Sequence, residues 1–409
     1  MATYDVTTAA TSLEFDTVNG SYNSSVNIDT NHFVNSFIGA TANNSVLQVF
    51  AVNTSTWAVT TVGTALVGIQ TTNSLKLGLA QIDSNHFISN WCNTNSARAQ
   101  VFEVNTTTWA VTTSNSSFVY DTTAVTHEPE VNAIVGVDAN HFLSMFGGGP
   151  SSELDVIILA VNTSTWAVTT SGSLLTIETD LNSPHSSCVQ IDNNHVLAIW
   201  AKSGIGLQTQ VMVVNTSTWA ISTAQAKFQI GVVGSGDGFN SVEMIDSNHA
   251  VIFHQGVDDD GFAQVVTINT STWAISTASS ALEFDTVLGY RHSCQQIDDN
   301  HFINFFSGNS FYGYVQVFTI DTSTWAITTT TASLEFDTTQ ATDLSSVKID
   351  AGHYVCFWTD VNSDGFVQTF TVELGATSSI KNFNGLAYAS TKTVNGLAIA
   401  SVKNKNGLA

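Results

Sequence analysis

Seven histidines are the residues of this chain best placed to do chemistry, and all of them sit in one phrase. Asp-x-Asn-His, with Gly352 replacing the Asn in the last copy, carries His32, His86, His141, His195, His249, His301 and His353. Imidazoles beside carboxylates are metal-site chemistry, but a zinc site needs several ligand atoms about 2 Å from one ion. One histidine per repeat, at the tips of separate hairpins, cannot converge in that way. Each histidine is therefore expected to bond its own aspartate across a turn, as His32 would with Asp29, and no metal is expected.

Other chemistry is weaker still. Asp360-Val361-Asn362-Ser363-Asp364-Gly365 has the spacing that opens a calcium loop, yet Thr371 stands where the bidentate Glu belongs. Copy five has Asp258, Asp259, Asp260 and Gly261 in that register and the other five copies have nothing similar, so a hairpin turn is the expectation. Glu128 with Glu130, or Asp258 with Asp260, could supply the two carboxylates of a glycosidase. Among 33 acidic residues such pairs arise by chance. The Thr-Trp turns loosely resemble the Asp-box of sialidase-type propellers, but the acidic residue is missing. Sialidases also grip a carboxylate with three arginines, and this chain has only Arg98 and Arg291. With no nucleophile motif, Gly-rich phosphate loop or Cys-x-x-Cys, the sequence predicts a non-enzymatic protein without a cofactor.

The elements that carry these residues follow from a repeat. Successive histidines lie 52 to 55 residues apart, and a second phrase ends in Trp57, Trp109, Trp166, Trp219, Trp273 and Trp325. Fixed-period self-similarity means a repeat architecture. Within copy one, Val26 and Ile28 alternate with Asn27 and Asp29, the period of a strand with one buried face. Thr30-Asn31 and Ala351-Gly352 read as two-residue turns whose Asn or Gly accepts positive φ. Asn53 opens the next turn by bonding the backbone two residues on. Four strands per repeat, seven times over, predict an all-β, seven-bladed β-propeller with four antiparallel strands per blade. Residues 3–17 match 324–338 without a gap, so the N-terminal strand should complete the last blade and close the ring. The repeated Trp then reads as packing between blades. Residues 1–374 form the ring and 375–409 a short β-type tail.

Residues 1–374 hold every acidic residue and a net charge of −27, whereas 375–409 carry +4. An acidic body repels phosphate backbones, so nucleic acid is not an expected partner. No 18-residue apolar run exists, so membrane insertion is not expected, and Met-Ala-Thr-Tyr-Asp does not start like a secretory signal. Cys92, Cys188, Cys294 and Cys356 are predicted as free thiols, and the Asn-Thr-Ser and Asn-Thr-Thr triplets as turn chemistry before glycosylation sites.

Function is sought where the repeats differ. Loops joining first to second and third to fourth strands are nearly uniform, whereas those on the other face vary. Such variety on a uniform scaffold suits recognition. The candidate binding residues there are Tyr22, His127, Glu128, His185, Asp237, Tyr290, Arg291 and His292, of types suited to a surface glycan. The tail repeats every 11 residues: Lys381-x-x-Asn384-Gly385-Leu386-Ala387, then Lys392 with Asn395-Gly396, then Lys403 with Asn406-Gly407. Asn-Gly is a hairpin cue, and so short a strip should order on a partner by strand addition. These repeats resemble terminal segments of structural proteins of tailed bacteriophage particles. The resemblance implies an extracellular or virion-surface structural or adhesion protein, joined to other virion subunits through its tail. Two other readings are a self-associating filament subunit whose tail donates strands to the next ring, and a carbohydrate-active enzyme or lectin using the variable face.

Overall fold

The computed structural model describes residues 4–39, 44–69, 78–93, 96–122, 133–148, 153–179, 185–202, 204–231, 239–329 and 331–373, together with four dipeptides of the tail. Each repeat forms one antiparallel sheet, and the seven sheets make the blades of a ring. Blade 5 is representative: Asn240–Met244 lies innermost, then His249–Gln255, Gly261–Ile268, and an outer strand in two pieces, Ile275–Thr277 and Leu282–Asp285. Six consecutive residues of His249–Gln255 are buried, because both faces of a middle strand are covered by neighbouring blades. The outer strand stays unbroken in blades 1 and 3, as Val59–Val67 and Val168–Glu178. Gly63 (φ +69°) bends the first of these where a Cβ would lie 2.0 Å from the Trp109 carbonyl, so only glycine fits.

The ring closes as the repeat alignment expected. Val6–Thr8 and Leu13–Asp16 pair with Gly365–Val372, in registers Val6↔Val372 and Leu13↔Val367. Blade 7 is thus built from both ends of the ring sequence.

The two repeated phrases turn out to form one joint. Each histidine bonds its own aspartate through Nδ1, as His32 does with Asp29 at 2.9 Å. The same ring stacks on the tryptophan of the next blade: His32 on Trp109 at 3.7 Å, His141 on Trp219 at 3.4 Å, His353 on Trp57 at 3.3 Å. Blade 7 lacks the tryptophan of the repeated phrase, and Tyr4 takes its place over His301 at 3.8 Å. Both expectations, a structural histidine and an interblade tryptophan, therefore hold as parts of one clasp. Burial pushes the Asp29 carboxyl upward, but hydrogen bonds from Asn31, the His32 ring and the His32 amide outweigh it and hold it below the usual range.

The turn chemistry differs in one respect. Asn31 does not carry positive φ; Asp29 Oδ1 instead accepts the amides of Asn31 and His32 and closes the turn. Positive φ falls on the tryptophans, +59° at Trp57, while Asn53 Oδ1 accepts the Ser55 amide as expected. In the tail, Asn382–Phe383 pairs with Leu386–Ala387 and Thr393–Val394 with Leu397–Ala398, two hairpin-type pairings eleven residues apart.

Candidate functional site

The innermost strands do not all enter the ring in the same way. In blades 1, 6 and 7 the register slips between Ser21 and Ser24, Tyr290 and Ser293, and Thr342 and Ser345. At each slip the residue ten before the repeat histidine has positive φ: Tyr22 at +57°, Arg291 at +51°, Asp343 at +52°. Bulky residues seldom adopt this conformation, and a bulge that re-aims a side chain is a recurrent feature of functional sites. A latch sets up each bulge. The amides of Gly20, Gly289 and Ala341 donate to Ser363, Asp259 and Phe311 of the preceding blade's loop. A Cβ on Gly20 or Gly289 would come within 2.2 Å or 2.1 Å of the facing glycine Cα.

The three bulges deliver their side chains to one opening on the axis. Its lining is the residue ten before the histidine, namely Tyr22, His185, Phe239, Arg291 or Asp343, together with the next residue, Asn23, Ser186, Asn240, His292 or Leu344. The opening is shallow and faces solvent, with an enclosed volume of about 40 Å³. Equivalent positions of blades 2 and 3 lie outside the described residues.

Charge and ring contacts organise the rim. Arg291 forms an ion pair with the buried Asp343 carboxylate, which also accepts the Tyr22 amide at 3.0 Å. The Arg291 guanidinium lies 4.8 Å from the centre of the Phe239 ring and 5.7 Å from that of Tyr290. His185 stacks on the other side of Phe239 at 3.5 Å. Below them, Asn304 Nδ2 lies 3.2 Å from His292 Nδ1. Burial pushes the His292 imidazole down to about 3, so it is neutral.

Five of the eight predicted binding residues, Tyr22, His185, Tyr290, Arg291 and His292, thus come together here. His127, Glu128 and Asp237 lie outside the described residues, as do Lys381, Asn384, Gly385, Lys392, Asn395, Gly396, Lys403, Asn406 and Gly407. The sequence reading missed Asp343, Asn23 and Asn240. Alignment on the histidine could have found Asp343, since it puts opposite charges at one repeat position in adjacent blades. The calcium-type spacing is spent within its turn: Asp360 Oδ1 accepts the amides of Asn362 and Asp364, both at 2.8 Å.

Deeper on the axis, burial pushes the Glu243 carboxyl up to about 7, with Lys348 partly opposing. A folded value above the ordinary 4.5 means that the native state binds the extra proton, so stability falls as pH rises from 4.5 to about 7. Glu243→Gln should therefore stabilise the ring by up to about 3 kcal/mol at pH 8 and leave it unchanged at pH 4, measured by urea unfolding at both.

No protein-family model matches the chain, and no curated protein matches it. Its fold is similar to solved rings. A lectin from Burkholderia pseudomallei aligns over 88% of this chain and 98% of its own, with a TM-score of 0.58 at 10% identity. A provisionally named 6-phosphogluconolactonase from Bacteroides uniformis aligns over 75% and 83%, with a TM-score of 0.56 at 8% identity. The C-terminal WD40 domain of Sif2 aligns over 88% and 98%, at 0.50 and 12%. At such identities the likeness is one of fold, and it corrects one expectation. Rings of this shape include a structure described as an enzyme, so the reading of this chain as non-enzymatic is withdrawn. Missing motifs exclude those motifs alone, because activity belongs to sites grafted on a fold.

Proposed function

We propose that the axial opening binds a neutral, hydroxyl-rich ligand of the carbohydrate class, making the ring a carbohydrate-recognition module. The observation that carries this is the convergence of Tyr22, Arg291 and Asp343 through three adjacent bulges. Guanidinium, carboxylate, amide and imidazole groups pair well with adjacent hydroxyls, and Phe239 and Tyr290 offer flat apolar surface. A sugar or sugar acid is also the ligand class that the lectin and the phosphogluconolactonase share by name.

Charge selects within that class. Arg291 is already neutralised by Asp343, and the ring carries −27. Among the described lining residues a phosphate or carboxylate would meet no lysine or second arginine, and burying it unpaired costs several kcal/mol. Calorimetry with a panel of neutral sugars, their phosphate esters and a sugar lactone tests this. A neutral member should bind at least tenfold more tightly than its phosphate ester and lose that affinity in Asp343→Asn. Equal or tighter binding of the ester would sink the reading. Lactone hydrolysis measured on the same samples reads whether the ligand is turned over.

The segment after the ring supports a second reading, as an attachment strip joining the ring to a virion or filament. Two strand pairings in the same register eleven residues apart favour it. Electron microscopy with and without residues 375–409 tests it: attachment to particles or to other rings should be lost with the tail, and attachment that survives would refute it.

A further inference from the structure

The joint of blades 4 and 5 departs from the three joints that follow it around the ring. At the joints of blades 5 and 6, 6 and 7, and 7 and 1, an outer-strand phenylalanine meets an aromatic ring of the next blade edge-on. Phe284 meets Phe306 at 5.0 Å, Phe336 meets Trp358 at 5.1 Å, and Phe15 meets Phe37 at 4.9 Å. An aspartate follows each phenylalanine and covers the rim. Asp337 Oδ2 accepts the Trp358 indole N–H at 3.0 Å, and the Asp285 carboxylate lies 3.2 Å from where a Cβ on Gly308 would stand.

The joint of blades 4 and 5 has none of these groups. Gly231 pairs with Leu207 as Asp285 pairs with Gly261, so Ile230 and Gly231 occupy the places of Phe284 and Asp285. His254 stands five residues after His249, as Phe306 does after His301. The missing ring and carboxylate leave a crevice of about 160 Å³ bounded by Ile230, Gly231, His254, Val257, Phe262 and Gln264. An apolar cavity of about 150 Å³ already holds a benzene ring in an engineered protein.

Two polar side chains line the crevice: Gln264, whose Nε2 donates to the Val265 and Ser279 carbonyls, and His254. His254 is 4% exposed, and its Nδ1 lies 2.9 Å from the Gln255 carbonyl, which makes Nδ1 the protonated nitrogen and Nε2 an acceptor. Burial lowers its pKa, which keeps the ring neutral. Phe262 lies parallel to it with centroids 5.8 Å apart. The ring's net charge of −27 disfavours an anion.

We propose that this crevice is a second binding site, distinct from the axial opening, for a phenol-type group: an aromatic ring that donates one hydrogen bond to His254 Nε2. The ring occupies the place Phe284 and Phe336 fill in the sister joints, and the hydroxyl meets His254 Nε2.

Calorimetry of the full chain with phenol tests this, with Ile230→Phe and Gly231→Asp restoring the residues of the sister joints. A Cβ at Gly231 would meet only His254 Cε1, at 3.6 Å, an ordinary contact, so the variant should fold. The expected result is saturable one-to-one binding of phenol, weakened at least tenfold in either variant that retains the native circular dichroism spectrum. His254→Phe should also remove a preference of at least fivefold for phenol over toluene. N-acetyltyrosinamide distinguishes the sources: if it binds as phenol does, the occupant is a tyrosine side chain, and if it does not, a free phenol. Absence of saturable binding to the native chain, or undiminished binding in both variants, would overturn the proposal.

Discussion

A chain lacking residues 1–17 should fail to form a closed ring and lose more than about 5 kcal/mol of stability, unfolding without a sharp transition. Those residues supply the whole outer strand of blade 7, and with it the pairing of Val6–Thr8 and Leu13–Asp16 along Gly365–Val372. Phe15 packs edge-on against Phe37 and Phe50 at 4.9 and 5.4 Å, across the joint between the last blade and the first, and against Phe357 of its own blade at 5.7 Å. Tyr4 holds the remaining clasp over His301 and bonds Asp298 at 3.2 Å. Removal of one buried phenylalanine alone costs about 3–5 kcal/mol. The bare edge of Gly365–Val372 should also recruit other copies, since an unpaired apolar edge is a template for association. Urea unfolding and light scattering would measure both effects, and a synthetic peptide of residues 1–17 should restore the transition. A truncated chain that unfolds as cooperatively as the full one would disprove closure by this strand.

Asp343→Ala should cost about 3 kcal/mol of stability and abolish ligand binding at the axial opening. The Asp343 side chain is 9% exposed and answers three donors at once: the Arg291 guanidinium, the Tyr22 amide and, at 3.4 Å, the Thr359 hydroxyl. Its loss leaves the Arg291 charge, 21% exposed, without its carboxylate, and this side of the pair dominates the cost. Arg291→Leu in the same chain should therefore recover much of the stability while binding stays lost. That double-mutant cycle should give a coupling of about 2 kcal/mol or more by urea unfolding. Additive effects of the two substitutions would mean that the pair does not organise the rim.

Much of the architecture is legible in the sequence because it rests on local rules repeated seven times. Alternation at Val26 and Ile28, turn residues such as Asn53, and the match of residues 3–17 to 324–338 require only strand periodicity and repeat counting. The clasp was half legible. Asp29 and His32 are three residues apart and their bond is local, but the stacking partner of His32 is Trp109, one blade away. No single-repeat reading could pair the two phrases, because the pairing depends on the angle between neighbouring blades.

The sequence by itself determined an all-β ring of seven blades, its closing strand, the structural role of the histidines and the face on which variation lies. Tertiary structure alone decided which of the variable residues meet. Tyr22, Arg291 and Asp343 are separated by up to 321 positions, yet Asp343 accepts the Tyr22 amide at 3.0 Å. That encounter depends on the sum of seven blade rotations and on three bulges whose positive φ is set by latches to the preceding blade. The crevice at His254 has the same origin. Ile230 and Gly231 are ordinary strand residues in sequence, and they leave a gap only because a histidine faces them from the next blade. Periodicity is written within each repeat, whereas a site between repeats exists only once the ring has closed.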